Sequence, residues 1–264
     1  MPKPEPAGPP AGRSGPGGPG AASNTAPPVQ HLVVRYAKRG KMRFASHRDV
    51  ARAFERGVRR AGVPIAHSHG FTPHPKISYA GGAPTGVASE AEYLSLALTT
   101  RTEAATVLQR LNAALPDGIE VIDVTEDAGG LQASLLTASE WHVVLPGLPP
   151  QAVTPAIQEF LALEHAEVER LTSKGMRRMD ARAAVISIDV ASGGPVADAA
   201  SGPSGGSSSS STALRMVVKH TVPAVRPDDV LTALRELSGV TPAAPPLMTR
   251  LAQGSISESG VVIP

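Results

Sequence analysis

Apolar side chains fall at every second position, then every third or fourth, then every second again, along most of the chain beyond residue 30. LVVRYAK (32–38) is an apolar, β-branched run that predicts a strand. Ser46 opens a helical pattern that runs to about Ala61 and is stopped by Gly62 and Pro64. KISYA (76–80) and EYLSLAL (92–98) predict the next strands, TEAATVLQRLNAAL (102–115) a helix stopped by Pro116 and Gly118, and IEVIDVTE (119–126) a further strand.

The pattern then repeats more loosely. EWHVVLP (140–146) predicts a strand, and PQAVTPAIQEFLAL (150–163) a helix that must accommodate Pro155. AEVERLTS (166–173), ARAAVISIDV (181–190) and ALRMVVKHT (213–221) predict strands. RPDDVLTALREL (226–237) predicts a helix with Pro227 in its first turn, and LMTRLAQG (247–254) a last strand. The first pass reads β-α-β-β-α-β, and the second is read as another such half whose middle hairpin carries a low-complexity insertion. The expected fold is α+β: two tandem ferredoxin-like (βαββαβ) halves with antiparallel sheets, at residues 30–127 and 138–254. Residues 1–29 and 191–212 are Pro, Gly, Ala and Ser with almost no large apolar side chain, so they are expected to be disordered, as a tail and as an insertion in the second half.

Composition narrows the chemistry. There is no cysteine, which excludes disulfides, thiolate zinc sites and cysteine-held iron–sulfur clusters. The N-terminus has no apolar stretch of the signal-peptide kind, and no apolar run approaches a membrane span, so a cytoplasmic protein with no membrane partner is expected. Aromatics are only 3% of the chain, so the core must be aliphatic.

Charge is unevenly placed. Residues 35–76 hold eleven Lys and Arg against Asp49 and Glu55, a local excess of +9 in a chain of net charge +2. On a helix over 46–61, Val50, Ala51, Ala53, Phe54, Gly57, Val58 and Ala61 share one side, and Arg48, Arg52, Arg56, Arg59 and Arg60 share the other. Two acids cannot pair five arginines, and guanidinium forks match phosphate oxygens. The face fits a polyanion such as RNA; the alternative is a solvated helix face. His47, in the first turn, is either a packed histidine or a proton donor at a positive helix end.

The helix is followed by HSHGFTPHPKIS (67–78). Gly70 allows a tight turn, while Pro73 and Pro75 stiffen the loop and extend the residues before them. His74 and Lys76 are expected to reach a ligand. Phe71 is a base-stacking platform or an anchor plugged beside the sheet. The spacing of His67, His69 and His74 is not diagnostic of a metal, so none is assigned, and no cofactor is expected.

The segments RFASHRD, AFERGVRRAG, GFTPHPKIS and GVASEAEYL resemble the radical-SAM-linked protein family, a bacterial domain of unknown function. MDARAAV and RPDDVL resemble its weaker later motifs. The resemblance covers roughly residues 31–254, and the chain departs from it at Arg48, His69 and Thr72. Members occur fused to or encoded beside a radical SAM protein and near ribonuclease genes. This implies RNA and a radical SAM protein as partners.

Three functions compete. The first is an accessory module, itself non-catalytic, that binds structured RNA for a radical SAM enzyme acting in RNA modification or processing. The second is a protein–protein scaffold for that enzyme. The third is a metal-independent endoribonuclease using His47 or His74 with Asp49 as orienting group. His47 and Asp49 point about 200° apart on a helix, which makes them poor direct partners.

Overall fold

The computed structural model describes residues 26–69, 71–127, 133–172, 175–191, 211–257 and 260–262. Strand β1 (Gln30–Lys38) alternates as expected, turning Leu32, Val34 and Tyr36 into the core. A 3-10 turn (Gly40–Phe44) leads to helix α1 (His47–Arg60). Strands β2 (Ile77–Ala80) and β3 (Ala88–Leu98), helix α2 (Ala104–Ala114) and strand β4 (Ile119–Glu126) follow. The second series is β5 (Ala138–Leu145), α3 (Pro150–Ala162), β6 (Glu167–Thr172), β7 (Gly175–Asp180), α4 (Ala181–Ala184), β8 (Val185–Val190), β9 (Thr212–Lys219), α5 (Pro227–Ser238), β10 (Leu247–Ser257) and β11 (Gly260–Val262).

The architecture is mixed α+β with one mostly antiparallel sheet. Among the described residues that sheet has nine strands in the order β4-β1-β3-β10-β5-β9-β8, with β2 paired to β3 and β11 to β10. The sequence reading expected antiparallel sheets in separate halves. Instead β3 and β10 join them side by side in parallel, through Thr249–Ala88 and Arg250–Ser89. The join is possible because β3 begins at Ala88, ahead of the EYLSLAL run, and so has a free edge beyond the reach of β2.

Two further corrections concern the second half. Residues 167–172 do not enter the main sheet. They form β6, which pairs with β7 as a separate hairpin that the sequence reading missed. Residues 181–190 are not one strand. The Asp180 carboxylate accepts the Ala183 N–H at 3.1 Å, which winds residues 181–184 into the single turn α4 before β8 starts.

The boundaries of the low-complexity tracts also move. Val29 already donates to the Leu98 carbonyl at 2.8 Å, and Thr212, buried, is the first residue of β9. Residues 1–25 and 192–210, where disorder was expected, lie outside the described residues.

The helices cover the sheet as two cores. Leu32, Phe54, Leu94, Leu96 and Leu111 lead the first, under α1 and α2. Val143, Phe160, Leu214, Met216 and Leu234 lead the second, under α3 and α5. Val87 and Ala83, from the loop ahead of β3, pack into the second core, so the two are physically stitched together.

Candidate nucleic-acid interface

Helix α1 starts where its sequence says it should. The Ser46 hydroxyl accepts the Asp49 N–H at 3.2 Å, and the Asp49 carboxylate accepts the Ser46 N–H at 3.2 Å and its hydroxyl at 2.6 Å. These bonds, the hydroxyl's first, hold the Asp49 carboxyl below the usual carboxylate range. The carboxylate proposed to orient a catalytic histidine is therefore engaged in capping. The inner face buries Val50, Ala53, Phe54, Gly57 and Val58. Gly57 lets α2 approach, because a Cβ there would stand 2.9 Å from a Leu115 methyl.

The outer face carries Arg48, Arg52, Arg56, Arg59 and Arg60, all exposed. None takes part in an ion pair among the described residues. Arg60 is partly occupied: its guanidinium donates to the Ala114 carbonyl at 3.0 Å, at the end of α2. Arg48, Arg52, Arg56 and Arg59 thus present four charged forks to solvent along one side of the helix.

The histidine loop leaves the far end of α1 and is tied at its base. Ser68 donates to the His74 carbonyl at 2.8 Å, and the Ser68 hydroxyl accepts the His74 N–H at 3.0 Å. Lys76 donates to Ala66 at 2.7 Å, and His67 pairs with Pro75 as an isolated bridge. His69, Phe71, Pro73 and His74 are exposed, and Lys76 and Pro75 half-buried; Gly70 lies outside the described residues. Phe71 does not plug the core. It stands entirely in solvent at 110% relative exposure, because the tied base lifts the tip off the sheet.

His47 is not beside this loop. Its ring meets Tyr79 edge-on at 5.2 Å, and its Nδ1 lies 3.7 Å from where a Gly82 Cβ would be. These residues are at the end of β2, whereas the loop precedes its start. Nor does the loop sit where β3 meets β10. It joins β3 at Ala97 and Leu98, while β10 meets β3 at Ala88 and Ser89, the opposite end. Among the described residues no group of three or more His, Asp or Glu is placed to hold a metal.

Where β3 meets β10 there is a polar network that the sequence reading did not assign. Arg250 and Glu92, both buried, form a salt bridge. Arg250 also donates to Gln253 at 3.1 Å and Ser89 at 3.4 Å, and its guanidinium lies 5.6 Å from the centre of the Trp141 ring. Glu92 accepts the Ala83 N–H at 3.1 Å, and Gln253 donates to the Ala91 carbonyl at 2.6 Å. Lys38, buried, donates to the carbonyls of Ala83 and Pro84, each at 3.3 Å, and burial lowers its pKa despite nearby Glu92. This network fixes the 81–86 loop beside His47. Sequence gives only a weak signal for it: Glu92 stands beside the apolar run of β3 and Arg250 inside β10, and charges that become buried need partners.

A family model matches residues 31–227. The chain belongs to the family described as "uncharacterized protein conserved in bacteria (DUF2344)". That description carries no radical SAM link. No curated protein matches the sequence. Among solved structures, the chain is similar to one described as a Cbf5-Nop10-Gar1 complex, at 12% identity and a TM-score of 0.45, over 84% of this chain and 48% of that one. It thus spans about half the length of that chain. A second, described as the first two RRM domains of yeast poly(U) binding protein (Pub1), gives 14% identity and a TM-score of 0.22, over 84% of this chain and 98% of that one. No helix among the described residues is long and apolar enough to cross a membrane.

Proposed function

We infer that this DUF2344 protein is an RNA-binding accessory module whose α1 face grips phosphates. The observation that carries the reading is the row of Arg48, Arg52, Arg56 and Arg59, exposed and without ion-pair partners. A solvated structural face of five arginines normally recruits acids at i+3 or i+4; here Asp49 is taken by the cap and Glu55 makes no ion pair within the described residues. His74 and Lys76 extend the basic surface beyond the helix. RNA is preferred to DNA on the sequence resemblance, as is a radical SAM enzyme as the partner served.

The scaffold on which the face is mounted reads as two ferredoxin-like units, residues 30–127 and 138–254. The strand orders β4-β1-β3-β2 and β10-β5-β9-β8 support this, since they repeat one plan.

The experiment is a salt titration of binding to labelled RNA. Each phosphate contact to a single strand adds about 0.7 to the slope of log K against log salt. Replacing Arg52, Arg56 and Arg59 together by Gln is expected to flatten that slope by about 2 with circular dichroism unchanged. A triple variant with the wild-type slope overturns the reading.

A further inference from the structure

The chain has four phenylalanines. Phe54 and Phe160 are fully buried, but Phe44 is 65% exposed and Phe71 110% exposed. Leaving such a side chain in water forgoes roughly 1.5–3 kcal/mol of burial. A protein with so few aromatics has placed half of its phenylalanines where they contribute nothing to its core.

Their positions are related. Phe44 ends the 3-10 turn just before the α1 cap, and Phe71 is in the loop that follows the other end of α1. Helix α1, which carries the arginine face and is about 21 Å long, lies between them in the chain. Both rings are held on ordered supports. The Arg43 guanidinium stacks over Phe44 at 5.2 Å, and is itself fixed by donating to the Gly86 carbonyl at 2.9 Å. Phe71 rides on the loop whose base Ser68 and His74 lace together.

We propose that Phe44 and Phe71 are stacking platforms for unpaired bases, so that the site takes a single-stranded stretch of RNA laid along α1. The proposal rests on the RNA reading above and narrows it from structured RNA to unpaired nucleotides. Unpaired bases expose the faces that aromatic rings stack on, whereas bases in a duplex already cover one another. The deep, narrow major groove of duplex RNA also bars side chains from its base edges. A duplex can therefore engage the arginines but leaves both rings unused. A single strand uses both features at once: phosphates on the guanidinium forks and bases on the rings.

The test uses the full chain, a labelled twelve-nucleotide single strand of mixed sequence, and a duplex of the same length. Phe44→Ala and Phe71→Ala are each expected to weaken single-strand binding roughly 5- to 150-fold, the range for losing one stacked base. Duplex binding is expected to stay within about twofold, because electrostatics alone supply it. Phe71→Trp adds a direct readout: its indole emission is expected to be quenched by the single strand and not by the duplex. The one native tryptophan, Trp141, is buried and supplies the wild-type baseline. If both alanine variants bind the single strand as wild type does, or lose single strand and duplex equally, stacking is overturned. The arginine reading then stands or falls on the Gln triple variant. If the triple variant keeps its salt slope while the phenylalanine variants lose single-strand binding, stacking stands and the arginine reading falls. Wild-type protein that binds neither RNA overturns both.

Discussion

Arg250 and Glu92 show what a single residue can decide. Their side chains are each 4% exposed, and neither charge has another charged partner as close among the described residues. Replacing Arg250 by Ala leaves a buried carboxylate unpaired, at an expected cost of about 3–5 kcal/mol. The loss is read as a lower urea midpoint at unchanged slope. Removing both charges together, as Glu92→Leu with Arg250→Met, is expected to recover most of that loss. A double variant as unstable as Arg250→Ala would mean that the join depends on the charges themselves rather than on their pairing. Gly81 is a second such position. Its φ of +59° is left-handed, and an added Cβ would stand 2.5 Å from the Gln253 Oε1. Gly81→Ala is expected to cost more than about 1 kcal/mol, measured by thermal unfolding.

At the scale of elements, α1 is the part most nearly readable from sequence. Its cap, buried face, charged face and stop are all set by contiguous residues, and each appears in the structure where the pattern puts it. Arg59 and Arg60 in its last turn also favour the negative end of the helix dipole. Strand β6 was legible as part of AEVERLTS, but its partner β7 was not, because GMRRMD is polar and mostly exposed. Their pairing buries only Val168 and Met179 well. The connection between β8 and β9 yields a prediction of its own. These strands are antiparallel neighbours, and the ladder is closed by the Ala191 N–H on the Ala213 carbonyl at 2.8 Å. Removing residues 192–210 and joining 191 to 211 by a short turn is expected to leave the melting temperature within a few degrees of wild type, since that sequence lacks core-forming side chains. A fall of 10 °C or more would show that the tract contributes to the fold.

At the scale of the whole molecule, two partly desolvated histidines bear on stability in acid. Burial pushes the pKa of His142 down, and its Nε2 has no hydrogen-bond partner to receive a new proton's charge. Burial also lowers His220, outweighing the Leu136 carbonyl that accepts from its ring at 2.6 Å. Groups with a depressed basic pKa bind protons more readily when unfolded. Stability is therefore expected to fall as pH drops below about 6.5, the ordinary histidine value, towards their lowered folded values. His165 acts with the opposite sign: Asp180 raises its pKa, so its contribution is present at low pH and lost as pH rises through the raised value. That pair is solvent-exposed at the histidine and screened, so His142 and His220 are expected to govern. Melting curves at pH 7, 6 and 5 check this, and His142→Leu is expected to flatten the dependence. A flat wild-type profile would contradict it.

What contiguous sequence determined is what contiguous residues control: most strands and helices in order, the cap of α1, the arginine face, and the absence of cysteine chemistry. Periodicity and capping act over a few residues, so they can be read without knowing the fold. What only tertiary structure decided are contacts between distant segments. Glu92 finds Arg250 158 positions away, and nothing local to either names the other. The parallel pairing of β3 and β10, which joins the first and second series of strands into one sheet, exists only because both edges are free at the same place. Phe71 is the clearest case. Hydrophobicity alone assigns it to the core, but the backbone bonds between Ala66 and Lys76, and between Ser68 and His74, close the loop beneath it and hold its ring in water.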